Sequence, residues 1–124
     1  VYDFTIHDGF DPFGEFNTTD MAELLQDELT LYPYLDGTHM QASFGHLVGY
    51  ESAYYGYLWS KVYAQDMYSV FKENGILDPE TGRRFRKIIF EPGGTVHPKL
   101  LIRNFIGREP TMDAFLTSLG IQPN

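Results

Sequence analysis

Between Ser52 and Asn74, Tyr54, Tyr55, Leu58, Val62, Met67, Val70 and Phe71 recur at a mixed spacing of three and four. Gly75 follows where a left-handed helix terminator belongs. The spacing of Met21, Leu24, Leu25 and Leu29 predicts a helix that starts at a cap on Thr18 or Thr19 and ends at Tyr32-Pro33. Asp78-Pro79, a cap followed by proline in its favoured first position, predicts a third helix running to Phe90, where Pro92-Gly93-Gly94 breaks it. Two shorter helices, near 98–106 and 111–119, close with Gly107 and Gly120. Strand-type alternation is nearly absent, and the stretches 8–17 and 34–49 read as irregular. The expectation is an all-α fold in which residues 1–124 form a single unit, with no internal repeat and no low-complexity linker.

Length and charge then narrow the function. A chain of 124 residues with 43% apolar and 16% aromatic residues can bury a core, since roughly two-thirds of the unfolded surface is removed at this size. Nine Lys and Arg against seventeen Asp and Glu give a formal charge of −8, which disfavours both nucleic acid and anionic membrane as partners. No run of side chains is long and apolar enough for a membrane helix. The absence of cysteine excludes a disulfide framework, a thiolate zinc site and a Cys nucleophile, and fits a reducing compartment. The chain opens at Val1 in sequence that already reads as folded, which leads to the expectation of a piece of a longer polypeptide.

The sequence builds neither a calcium loop nor a zinc motif. Asp8, Asp11, Glu15 and Asp20 crowd one loop, but counted from Asp8 the sixth position of a calcium loop is Phe13 and the twelfth is Thr19, where Gly and Glu are required. The histidines, His7, His39, His46 and His97, include no pair at the spacing that places two imidazoles on one helix face, and no adjacent Glu base. No metal ligand is assigned to this chain.

The densest segment is Phe44-Gly-His-Leu-Val-Gly-Tyr50-Glu-Ser-Ala-Tyr54-Tyr-Gly-Tyr57-Leu-Trp59, with four tyrosines and three glycines beside a histidine. If the segment is helical, Tyr50, Tyr54 and Tyr57 project their hydroxyls from one face. Such a stripe serves either core packing or a ligand; a buried hydroxyl needs a partner that phenylalanine would not, so both roles stay open.

This segment resembles the region downstream of the zinc motif in the thimet oligopeptidase and neurolysin family of zinc metallopeptidases, which carries Phe-x-His, a glycine-rich loop and Tyr-x-x-x-Tyr-Tyr-x-Tyr-Leu-Trp. Gly37–His46, Ser60–Met67, Phe71–Ile76, Pro92–Gly94, Phe105–Pro110, Asp113–Leu116 and Gly120 resemble further landmarks in the same order. The family's H-E-x-x-H is not in this chain, and one glycine, Gly49, stands before Tyr50 where many members have two. The resemblance implies the compact helical C-terminal part of a zinc oligopeptidase catalytic domain, inactive alone. It implies catalytic roles for Tyr57 and His46, and a substrate-binding wall made of Tyr50, Tyr54, Gly45, Gly49 and Gly56. Zinc would belong to the full-length parent and not to this chain. The expected partners are a short peptide substrate, the upstream part of the peptidase and, where apolar faces stay bare, a second copy of the chain; the expected compartment is the cytoplasm. The competing reading is a non-catalytic helical peptide-binding or interaction module derived from that family.

Overall fold

The computed structural model describes residues 1–122 and is all-α, with no strand among the described residues. The chain forms two compact units, one from Val1 to Gly56 and one from Tyr57 onward.

In the first unit, α1 (Tyr2–His7) precedes the irregular acidic loop, α2 spans Thr18–Leu29 and α3 spans Met40–Ser43. The cap of α2 is Asn17, one residue before the expected threonines. Its side-chain oxygen accepts from the amides of Thr19 and Asp20 at 2.8 and 3.2 Å, while the Asp20 carboxylate accepts from the Asn17 amide at 2.9 Å. This reciprocal box satisfies the orphan donors that a threonine inside the first turn could not reach. Thr19 is left to bind α3, accepting from the Gln41 amide group at 2.7 Å. The Tyr2 hydroxyl donates to the Thr18 carbonyl at 2.9 Å and ties α1 to the start of α2. Tyr2, Asp3 and Ala22 are the buried residues here, whereas Leu24 and Leu29 of the predicted stripe stay half-exposed.

The second unit is built on α4 (Gly56–Asn74), α5 (Pro79–Phe85), α6 (Pro98–Ile106) and α7 (Asp113–Ser118). Asp78 caps α5 as expected, accepting from the Thr81 amide at 2.7 Å, and that bond holds the Asp78 carboxyl below its ordinary pKa. Past Phe85 the helical path continues as one wide π turn, Arg86–Phe90, closed by the Glu91 amide on the Arg86 carbonyl at 2.9 Å. Gly107, at φ +78°, ends α6 in the left-handed conformation that its missing Cβ permits. The core is aromatic: Phe105, with no exposed surface, meets the rings of Phe71 and Phe85 at 5.9 and 5.1 Å, and Leu101, Ile102 and Val62 are buried too. Arg84 crosses the Phe105 ring and donates to its carbonyl at 2.8 Å. Asp66 of α4 is fully buried and accepts from both guanidinium nitrogens of Arg108 and from the Thr111 amide. That hydrogen bond raises Arg108 above its ordinary range. No helix among the described residues is long and apolar enough to cross a membrane.

Candidate functional site

The glycine-tyrosine segment is not helical until its last residues. Phe44 leads into a single 3₁₀ turn, Gly45–Leu47, and α4 begins only at Gly56. The helix expected from Ser52 is delayed because Ser52 stands at φ +57°, the one positive φ among the described non-glycine residues, and a helix cannot run through it. Between the two, turns follow one another: the Ala53 amide donates to the Tyr50 carbonyl at 3.2 Å and the Gly56 amide to the Ala53 carbonyl at 2.9 Å. Gly49 sits at φ +86°, and its amide donates to Glu51 Oε1 at 2.7 Å, the bond that chiefly holds the Glu51 carboxyl below its ordinary pKa.

These turns bring rings together without a helix face. His46 lies 5.7 Å from Tyr50 and 5.4 Å from Tyr54 between ring centroids, and Phe44 meets Tyr54 edge-on at 4.6 Å. Tyr50 and Tyr54 keep 39% and 41% of their surface exposed, so the cluster is a surface feature rather than core. Gly45 and Gly49 lie in the loop that delivers His46. A Cβ on Gly45 would meet nothing within 4 Å, and one on Gly56 would meet the Tyr50 hydroxyl at 3.6 Å, an ordinary contact. Backbone at Gly45 is therefore open to close approach. Tyr57 opens the second unit, in the first turn of α4, with 53% of its surface exposed.

The sequence singled out neither Asp3 nor Glu51. Asp3, 5% exposed, accepts from the Ser52 amide at 3.0 Å and the Tyr54 amide at 3.2 Å. His7 Nδ1 lies 3.0 Å from Asp3 Oδ1 and 2.8 Å from its carbonyl. Both of those oxygens only accept, so Nδ1 carries the proton. Burial works to raise the Asp3 pKa, but the two amides and His7 outweigh it and hold the carboxyl below its ordinary value. The four-residue spacing of Asp3 and His7 is visible in the sequence; the distant amides are not. Tyr55, read from the sequence only as part of the helical stripe, tilts its ring against Phe4 of α1 at 5.2 Å.

Among the described residues, no group of three or more His, Cys, Asp or Glu side chains could hold a metal ion, so the residues present do not fit zinc. A cleft of about 550 Å³ opens in the acidic loop, lined by Asp8, Asp11, Glu15, Phe10 and Phe16 among others; none of the candidate residues lines it.

Comparison with known proteins extends the pattern over the chain. The model of peptidase family M3 matches residues 2–121. The chain is 36% identical to oligopeptidase A of Haemophilus influenzae over 123 residues, covering 98% of this chain and 18% of that protein. It is 34% identical to the thimet-like oligopeptidase of Dictyostelium discoideum over 122 residues, with 98% and 18% covered. Over 82 residues it is 42% identical to saccharolysin of Saccharomyces cerevisiae, covering 64% and 12%. The chain thus spans about a fifth of the length of the first two relatives, and on the match across residues 2–121 it belongs to peptidase family M3.

Proposed function

We propose that this chain is the C-terminal portion of a zinc-dependent oligopeptidase that hydrolyses short peptides in the cytoplasm, and that its Gly/Tyr-rich segment binds and polarises the substrate. The observation that carries the reading is the half-exposed cluster of His46, Tyr50 and Tyr54, which spends its polar rings at the surface instead of in a core. Tyrosine suits this work because its hydroxyl donates a hydrogen bond without bringing a charge. Gly45, Gly49 and Gly56 leave the substrate backbone room, Tyr50 and Tyr54 grip it, and Tyr57 and His46 donate to the oxygen that becomes negative as the peptide bond is attacked. The zinc ion is assigned to the remainder of the polypeptide.

The test is steady-state kinetics of Tyr57→Phe in the complete polypeptide, on an internally quenched fluorogenic peptide. The substitution removes one donor and hardly changes volume. Loss of one such donor lowers kcat by about 10²–10³, roughly 3–4 kcal/mol of transition-state stabilisation, with a smaller effect on KM. Unchanged kcat with a lowered melting temperature would make Tyr57 a packing residue. Specific peptide binding with no turnover by the complete polypeptide would favour the non-catalytic module.

A further inference from the structure

Asp3 is the buried group in the first unit that the reading above leaves without a task. Its carboxylate is nearly sealed from solvent, and besides His7 of its own helix it serves distant backbone: each oxygen accepts from an amide, one 49 and one 51 residues further along the chain. Those amides belong to Ser52 and Tyr54, which bracket the turn that displays the ring cluster. One of them is the amide of the residue at φ +57°. A left-handed conformation is unfavourable for serine, and it persists only where surrounding contacts over-determine it. A carboxylate accepting two backbone amides is such a contact, because the charge on the acceptor strengthens both hydrogen bonds. His7 holds the same carboxylate through an Nδ1 that lies within hydrogen-bond distance of both Asp3 Oδ1 and the Asp3 carbonyl.

We propose that Asp3, oriented by His7, is a positioning residue for substrate handling: it fixes the Ser52–Tyr54 turn and thereby the placement of Tyr50 and Tyr54 around His46. The inference rests on the peptide-binding role assigned above to those tyrosines. It makes α1 part of the functional apparatus through the turn that Asp3 holds.

The experiment compares Asp3→Asn, Tyr50→Phe, Tyr54→Phe and the Asp3→Asn/Tyr54→Phe double variant in the complete polypeptide, by kcat/KM on a quenched fluorogenic peptide. An amide at position 3 keeps one acceptor and presents a donor to the second N–H. Misplacement of a binding group by about 1 Å can cost on the order of 100-fold, so Asp3→Asn should lower kcat/KM by about 10- to 100-fold. The double variant should lose less than the product of the single losses, because both changes act through one turn. Ser52→Gly added to Asp3→Asn should return part of the activity, since glycine takes a positive φ without a side-chain penalty. A merely structural role would show as a lowered melting temperature with kcat/KM unchanged for the folded variant, whereas a positioning role lowers kcat/KM below the melting point as well. Asp3→Asn within about twofold of the parent, beside impaired Tyr50→Phe and Tyr54→Phe, would overturn the inference and leave the tyrosine reading standing. Fully active tyrosine variants would overturn both. Should Asp3→Asn fail to fold, His7→Gln keeps the carboxylate and removes one bond that aims it; a smaller loss supports the proposal and full activity overturns it.

Discussion

Asp66 and Arg108 form a pair whose two halves should be unequal in the cost of losing them. The Asp66 side chain has no exposed surface, while that of Arg108 keeps 47%. Asp66→Asn leaves a guanidinium that water can reach and an amide oxygen that still accepts, so the penalty is that of imperfect hydrogen bonding, about 1–3 kcal/mol. Arg108→Met leaves the carboxylate dry, with the Thr111 amide as its remaining donor. Removing one partner of a buried pair costs about 3–5 kcal/mol, because the other charge is left uncompensated. The double variant Asp66→Asn/Arg108→Met should fall short of the sum, with a coupling of about 0.5–3 kcal/mol. Urea unfolding followed by far-UV circular dichroism measures each midpoint at constant slope. If Asp66→Asn proves as costly as Arg108→Met, or the two losses simply add, the reasoning from unequal burial is wrong.

Acid should loosen the first unit. Asp3 is held below its ordinary 3.8 and Glu51 below its ordinary 4.5, so the stability each lends is present above those values and drains away as pH falls through the folded pKa. The melting temperature should therefore drop on acidification, and Asp3→Asn should flatten that drop; a parallel drop in the variant would refute the assignment. Asn17→Ala removes the cap of α2 and should cost about 1 kcal/mol, read as a lower urea midpoint and faster amide exchange at 19–21. Gly107→Ala forces a side chain into φ +78° and should destabilise by about 1–2 kcal/mol, whereas Gly56→Ala, with only an ordinary contact at 3.6 Å, should leave the melting curve nearly unchanged. Exposed Leu58, Trp59 and Leu77, among others, should make the isolated chain bind a hydrophobic dye and self-associate in light scattering.

The helices with local punctuation were legible from sequence. Asp78-Pro79 sets the start of α5, Gly75 follows the last residue of α4, and Gly107 ends α6, because caps and terminators act on their immediate neighbours. What escaped was set at a distance. The start of α4 moved from Ser52 to Gly56 because Ser52 stands at φ +57°, with its amide on a carboxylate 49 residues earlier, and nothing near Ser52 announces that partner. The tyrosines at 50 and 54 kept their neighbourhood to His46 but lost the common helix face that their spacing suggested. Asn17 displaced the threonines as a cap because only a residue outside the first turn can exchange bonds with Asp20. The pairing of Asp66 with Arg108 spans 42 residues, and neither residue type at its position signals the other.

The wide turn at Arg86–Phe90 carries a consequence for how this chain tolerates insertions and deletions. On a regular α-helix, residues five apart point about 140° away from each other, since each residue advances by about 100°. The widened loop of backbone between Arg86 and Glu91 closes much of that angle, and the rings of Phe85 and Phe90 meet edge to face at 4.9 Å. One residue more than an α-turn needs has been absorbed without breaking the helical path. Removing a single residue from 86–89 would return the backbone to regular geometry and leave the two phenylalanines four residues apart, about 40° around a regular helix. The rings would stay together and the later side chains would keep their register. A one-residue deletion is thus tolerated in this turn, whereas the same deletion inside α5 would swing every later side chain by about 100°.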